Sequence, residues 1–134
     1  MTELPSPAPA PNAETAPFWD ATARGVMLLQ RCNSCGSTIW YPRWLCPICG
    51  STDTSWYEAS GRGSIYSFTV VRRGDGPYRE VGPYVLAYVE LEEGPRIVTN
   101  VLTDDPDAVR VGQAVTVTFT DTGEGTALPR FTPA

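Results

Sequence analysis

The chain has 134 residues, 42% of them hydrophobic and 19% charged, which is enough apolar surface for one ordinary domain or two small modules and too little length for a large multidomain enzyme. Ten basic residues against fifteen acidic ones leave a net charge of −5, and four thiolates around one divalent cation would take it to about −7, so a nucleic-acid backbone is repelled. Every basic residue is arginine, and without lysine or histidine the chain cannot build a Schiff-base lysine, a Ser-His-Asp or Cys-His pair, or a histidine-rich catalytic zinc site.

Residues 1–13, MTELPSPAPAPNA, alternate proline with alanine and serine, which predicts a weakly ordered, extended tail or an interdomain linker. The chain opens with no basic segment followed by an apolar one. No run approaches the ~20 apolar residues that span a bilayer, so a cytoplasmic protein with no membrane partner is expected.

Residues 14–25 read as a short docking helix, over roughly 16 to 24. Thr15 can cap it, Pro17 suits an early helical position, and Gly25 ends it. Phe18 and Trp19 place two large rings on about two turns, more than so short a helix can shelter. It must dock, either on its own domain or on a partner.

Residues 26–58 form the next unit. Val26 to Arg31 reads as a strand running into Cys32, and Trp56 to Glu58 as another extended piece. Between them, Cys32-x-x-Cys35 and Cys46-x-x-Cys49 are ten residues apart, with Gly36 and Gly50 directly after each pair, where a tight turn needs a residue tolerant of unusual backbone angles. Four thiolates satisfy the tetrahedral preference of zinc and leave no open position for water, so the ion is structural and not catalytic. Iron in a rubredoxin-like site is the competing metal, and two close cysteine pairs would make an odd disulfide framework. Arg31 and Arg43 flank the cluster, either offsetting its charge or simply solvated. Trp40, Tyr41 and Trp44 crowd the loop between the knuckles, as interface anchors or as padding for a hinge.

Residues 59–134 carry the remaining strands: Gly61 to Arg73, with Ile65 and Val71 on one face and Tyr66, Phe68 and Val70 on the other, then Pro83 to Leu91, Arg96 to Leu102, Val115 to Thr120 and Thr126 to Phe131. Gly/Asp/Pro turns separate them, and Asp104 to Gly112 has room for one helical turn. The predicted fold class is mostly β: a short N-terminal helix, a rubredoxin-like zinc ribbon, then a small Greek-key barrel of OB type. An open sandwich would share the same pattern.

An ordered set of short elements resembles one family: Phe18-Trp19, Leu29-Gln30-Arg31-Cys32, Pro42-Arg43, Cys46-Pro47-Ile48-Cys49-Gly50, Ser60-Gly61-Arg62-Gly63 and Tyr66-Ser67-Phe68-Thr69. Together, over about residues 14 to 131, they are similar to the bacterial and archaeal zinc-ribbon/OB-fold proteins associated with acyl-CoA metabolism. The resemblance implies a non-catalytic accessory subunit of a thiolase-fold enzyme. The relatives it most resembles pair with a lipid-transfer-protein-like aldolase that splits a β-hydroxyacyl-CoA in steroid side-chain degradation; others serve an acetoacetyl-CoA thiolase. Some such relatives are fused to a hotdog-fold enoyl-CoA hydratase, and the resemblance implies that residues 1–13 would be the linker from such a domain. On this reading Phe18, Trp19, Trp40, Tyr41 and Trp44 meet the partner, and Arg72 and Arg73 are candidates to meet CoA phosphates or to be solvated charges. A stand-alone acyl-CoA-binding barrel is the alternative.

Overall fold

A computed structural model describes residues 3–134; Met1 and Thr2, the start of the expected tail, lie outside the described residues. Residues 3–12 adopt neither helix nor strand, yet Leu4 is buried and the Pro5 carbonyl accepts a hydrogen bond from Arg130. Helix α1 spans Ala16–Thr22. The Thr15 side chain does not cap it. Its hydroxyl accepts from the Asn12 backbone N–H (3.0 Å), while Asn12 Oδ1 accepts from the Thr15 N–H (3.1 Å), so the pair braces the turn before the helix. Gly25, at φ 72°, stops it: the Val26 N–H reaches back to the Ala21 carbonyl (3.0 Å), a left-handed C-terminal cap that glycine adopts without a Cβ clash.

Three strands make the ribbon sheet: β1 (Leu28–Cys32), β2 (Thr38–Ile39) and β3 (Thr54–Glu58), in the order β2-β1-β3 and all antiparallel. Five more follow: β4 (Arg62–Val71), β5 (Tyr84–Leu91), β6 (Arg96–Val101), β7 (Ala114–Asp121) and β8 (Ala127–Pro133). They close into a barrel in the order β4-β5-β6-β8-β7, with β7 pairing back onto β4. The OB-type barrel is therefore the architecture, and the open sandwich is not. A 3-10 turn at Pro106–Ala108 fills the Asp104 to Gly112 connection.

The core follows from alternation along these strands. Val85, Ala87, Val89 and Leu91 point inward from β5, and Ile97 and Val101 from β6. Val115, Phe131 and Ile65 complete the filling. Burying each of the larger side chains contributes about 1.5–3 kcal/mol. In β4 simple alternation fails. Ile65 lies opposite Val89 but Ser67 opposite Tyr88, so one extra residue is bulged out of the ladder. The expected grouping of Tyr66 with Phe68 and Val70 is corrected by that bulge: Tyr66 turns to solvent, whereas Phe68 and Val70 pack on the core with Ile65.

Two contacts tie the pieces together. Phe18, from α1, joins Met27 and Leu29 in the barrel cluster. Thr22 is 1% exposed; its hydroxyl donates to the Trp19 carbonyl (2.6 Å) and accepts from the Ala127 N–H (3.1 Å), fixing the helix to the start of β8. The barrel's own closure is thin between β6 and β8. These strands run parallel and share one residue pair, Val101 with Phe131, reinforced by the Leu102 N–H to the Phe131 carbonyl (2.8 Å) and the Thr99 hydroxyl to the Pro129 carbonyl (3.0 Å).

Candidate metal centre and exposed aromatic surface

The two knuckles repeat one geometry. In the first, the Gly36 N–H donates to the Cys32 carbonyl (2.8 Å) and the Cys32 N–H to the Ser37 carbonyl (2.9 Å). In the second, Gly50 donates to Cys46 (2.9 Å) and Cys46 to Ser51 (2.9 Å). Gly36 and Gly50 sit at φ 78° and 76° with open space where a Cβ would stand, so backbone angle and not crowding selects glycine at both. Backbone N–H groups also point at sulfur: Cys35 N lies 3.4 Å from Cys32 Sγ, and Ile48 N lies 3.4 Å from Cys46 Sγ.

All four sulfurs lie within 4.8 Å of one another, with Cys32 and Cys49 at 3.5 Å and Cys35 and Cys46 at 3.7 Å. Zinc–sulfur bonds of about 2.3 Å in a tetrahedron place sulfurs about 3.8 Å apart, whereas a disulfide needs about 2.05 Å. The donor set fits a metal. Its electrostatics agree: the Ser37 hydroxyl and backbone bring the Cys35 thiol down to about 6, and the Cys35 backbone N–H lowers Cys32. Cys49 is favoured as thiolate by the Ser51 backbone, yet the surrounding thiols and burial push it up to about 12. Four adjacent sulfurs cannot all ionise unless a cation sits among them. The flanking arginines look elsewhere. Arg31 stacks 4.2 Å over the Tyr57 ring, and Arg43 donates to the Tyr41 and Trp40 carbonyls.

The five expected interface aromatics separate by burial. Phe18 is 1% exposed, edge-to-face with Trp19 (4.9 Å) and Trp40 (5.4 Å), so it is corrected from surface to support beneath the surface. Trp19 and Trp40 are half-buried, and Trp19 Nε1 donates to the Tyr41 hydroxyl (2.9 Å). Trp44 stands 63% exposed, and it has neighbours that the sequence reading passed over: Leu45 at 50% in the same loop and Ile48 at 73% in the second knuckle. Their place at the ribbon tip follows from spacing around Cys46 and could have been noticed. The backbone N–H of Trp44 donates to Glu14 (2.7 Å), which pins the loop.

A second exposed group lies on the outer barrel face, where Tyr66 meets Tyr88 edge-to-face (6.2 Å) beside Leu86 and Val98. Arg96 sits 3.7 Å over the Tyr66 ring and donates to Glu90 (2.8 Å). Of the two arginines considered for CoA, Arg72 is paired with Asp107, which raises the arginine and lowers the acid, and Arg73 is exposed. Among the described residues no helix is long and apolar enough to cross a membrane.

Residues 19–55 match the family described as the ChsH2 rubredoxin-like zinc ribbon domain, and residues 56–120 match the ChsH2 C-terminal OB-fold domain. A Thermomonospora curvata protein named "Probable enoyl-CoA hydratase alpha subunit" is 38% identical over 128 residues, 96% of this chain and 40% of that protein. The chain thus spans two fifths of that relative. A "DUF35 domain-containing scaffold protein" of Methanothermobacter thermautotrophicus is 34% identical over 92 residues, 66% of this chain and 68% of the relative. The solved structure named "Ltp2-ChsH2(DUF35) aldolase" contains a chain that superposes with a TM-score of 0.83 at 36% identity, covering 94% of this chain and 98% of that one. The cofactor of such a ribbon is zinc, and the four cysteines are placed to hold it.

Proposed function

Because this chain belongs to the ChsH2 (DUF35) family of zinc-ribbon and OB-fold proteins, we propose that it is a non-catalytic subunit that binds a thiolase-fold, lipid-transfer-protein-like aldolase acting on a β-hydroxyacyl-CoA, of steroid side-chain type. The observation that carries this reading is the likeness over nearly the full length of a chain solved within an aldolase. Retro-aldol cleavage needs a base for the hydroxyl and hydrogen-bond donors for the thioester enolate. This chain has no histidine or lysine to act as base, and its metal position is closed by four thiolates. The partner supplies both groups.

Trp44, Leu45 and Ile48 form the contact, since three large apolar side chains left in water at one tip favour burial against a second protein. Arg73, with Arg72 released from Asp107, meets CoA phosphates at the rim. A hotdog-fold hydratase joined or bound nearby would present the aldolase with its hydrated substrate, in keeping with the name of the T. curvata relative.

The test is co-expression with such an aldolase. Trp44→Ala, exposed and remote from the core, is expected to weaken the complex by about 2 kcal/mol, roughly 30-fold in Kd, with the variant's own melting curve unchanged. Retro-aldol turnover should appear only when both chains are present. An unaltered Kd, or turnover by the isolated chain, would overturn the proposal.

A further inference from the structure

The thin seam of the barrel opens into a cleft of about 370 Å³, bordered by β6, β8, α1 and the loop between the knuckles. Trp40, Tyr41 and Tyr78 contribute rings to its wall, and Ile97, Leu128 and Pro129 contribute aliphatic surface. The volume lies at the small end of those that hold small organic ligands. One polar group in this lining is anomalous. Arg130 is 3% exposed, yet among the described residues its guanidinium meets only neutral acceptors, the Pro5 carbonyl and the Tyr78 hydroxyl. No carboxylate of the described residues stands within ion-pair distance of it, and the acid whose charge it feels, Glu3, is exposed.

A guanidinium offers five N–H donors and a full positive charge, and two neutral oxygens leave that charge without a counter-ion in a largely buried setting. Burial accordingly lowers its pKa, with the Tyr78 hydroxyl and Glu3 opposing that trend. Natural interiors pair such a charge, and Arg130 is among the residues that line the cleft.

We propose that this cleft binds a small organic anion, its carboxylate or phosphate on Arg130 and its apolar body against the Trp40 and Tyr41 rings. The assignment does not rest on the aldolase reading: the exposed tip at Trp44, Leu45 and Ile48 takes no part in the lining. Val98, 70% exposed at the edge of the cleft, gives a handle on the local charge that leaves the core intact.

The full zinc-loaded chain would be titrated with 2-naphthoate, 1-naphthyl phosphate and neutral 2-naphthamide, following the Trp19 and Trp40 indole N–H and the Arg130 side-chain NMR signals. Saturable shifts are expected with at least one anion, and at least about 10-fold weaker binding of the amide, the scale of a charge-assisted hydrogen bond. Which anion binds tighter identifies a carboxylate or a phosphate ligand. Val98→Glu should weaken the anion about 2- to 5-fold and Val98→Lys should strengthen it by a similar factor. Arg130→Met should abolish the preference for anions over the amide if it folds. The Val98 pair decides the matter if it does not. Equal binding of anion and amide, absence of saturation, or identical affinities across the Val98 pair would overturn the proposal.

Discussion

In the ribbon, the buried cluster consists of Cys32, Ile39 and Cys46, two of which are metal ligands. The barrel, by contrast, gathers Ile65, Val85, Val89, Leu91, Ile97, Val115 and Phe131 into one apolar interior that extends under α1 to Phe18. The ribbon is thus held by coordination and the barrel by exclusion of water, although both use antiparallel strands of ordinary length. The difference teaches where each half is vulnerable. A ribbon without its ion has no interior to fall back on, while a barrel with a damaged interior still leaves the four thiolates in place.

The largest expected effect tests the first half of that contrast. Structural zinc contributes about 10–16 kcal/mol in isolated zinc-finger peptides. Chelation, or Cys46→Ser, should therefore unfold residues 26–58, while hydrogen exchange in β5 and β6 stays protected. Metal analysis should find one zinc per chain before chelation. Loss of the barrel at the same chelator concentration would break the comparison, because it would make the two parts one cooperative unit.

Phe131→Ala tests the other half. The residue is fully buried where β8 meets β6, and its truncation should cost about 3–5 kcal/mol in denaturant melts. Zinc content should be unchanged, since no ligand touches that site. A smaller effect probes the joint between the halves: Thr22→Val removes the acceptor for the buried Ala127 N–H and should destabilise by about 1–3 kcal/mol, loosening α1 from β8. Exchange of the Ala127 amide is the direct readout.

The smallest effect concerns the exposed Arg62–Glu92 pair, at 2.8 Å. The Arg62 hydrogen bond holds the Glu92 carboxyl below its ordinary value, so its stabilising contribution is present above the unfolded pKa and lost only as pH falls through the lower folded one. Glu92→Gln should leave the melting midpoint near neutrality and any complex with an aldolase unchanged. A measurable shift at neutral pH would show that surface charge takes part in holding the barrel.

Much of the fold could be read from residue order because its signals are local. The glycines after each cysteine pair mark the knuckles, and β5, β6 and β7 announce themselves by alternation, with Arg96 to Leu102 expected and Arg96–Val101 found. Strand β2 escaped notice because two residues, Thr38 and Ile39, are too few to show a period. The bulge in β4 escaped because the extra residue is defined by its partner strand, which no local pattern contains. The exposure of Trp44 against the burial of Phe18 is likewise tertiary: both are aromatic, and only the packing of α1 on the barrel separates them. Arg130 drew no notice, since nothing in LPRFTP says that the Pro5 carbonyl will meet it.

The parallel bridge between Val101 and Phe131 also sets an order of events during synthesis. Every ribbon strand and both cysteine pairs have been made by residue 58, so a nascent chain can take up its ion and finish that module early. The barrel has to wait, because β8 follows all other strands in the chain and fills the place between β6 and β7. At about 5–20 residues per second, the open edge of β6 waits roughly 2–6 s for β8 and that of β7 roughly 1–2 s. Strand edges in that state are prone to pair with other chains, so conditions that slow translation across residues 100 to 130 should raise aggregation of the newly made protein without changing the stability of the finished one.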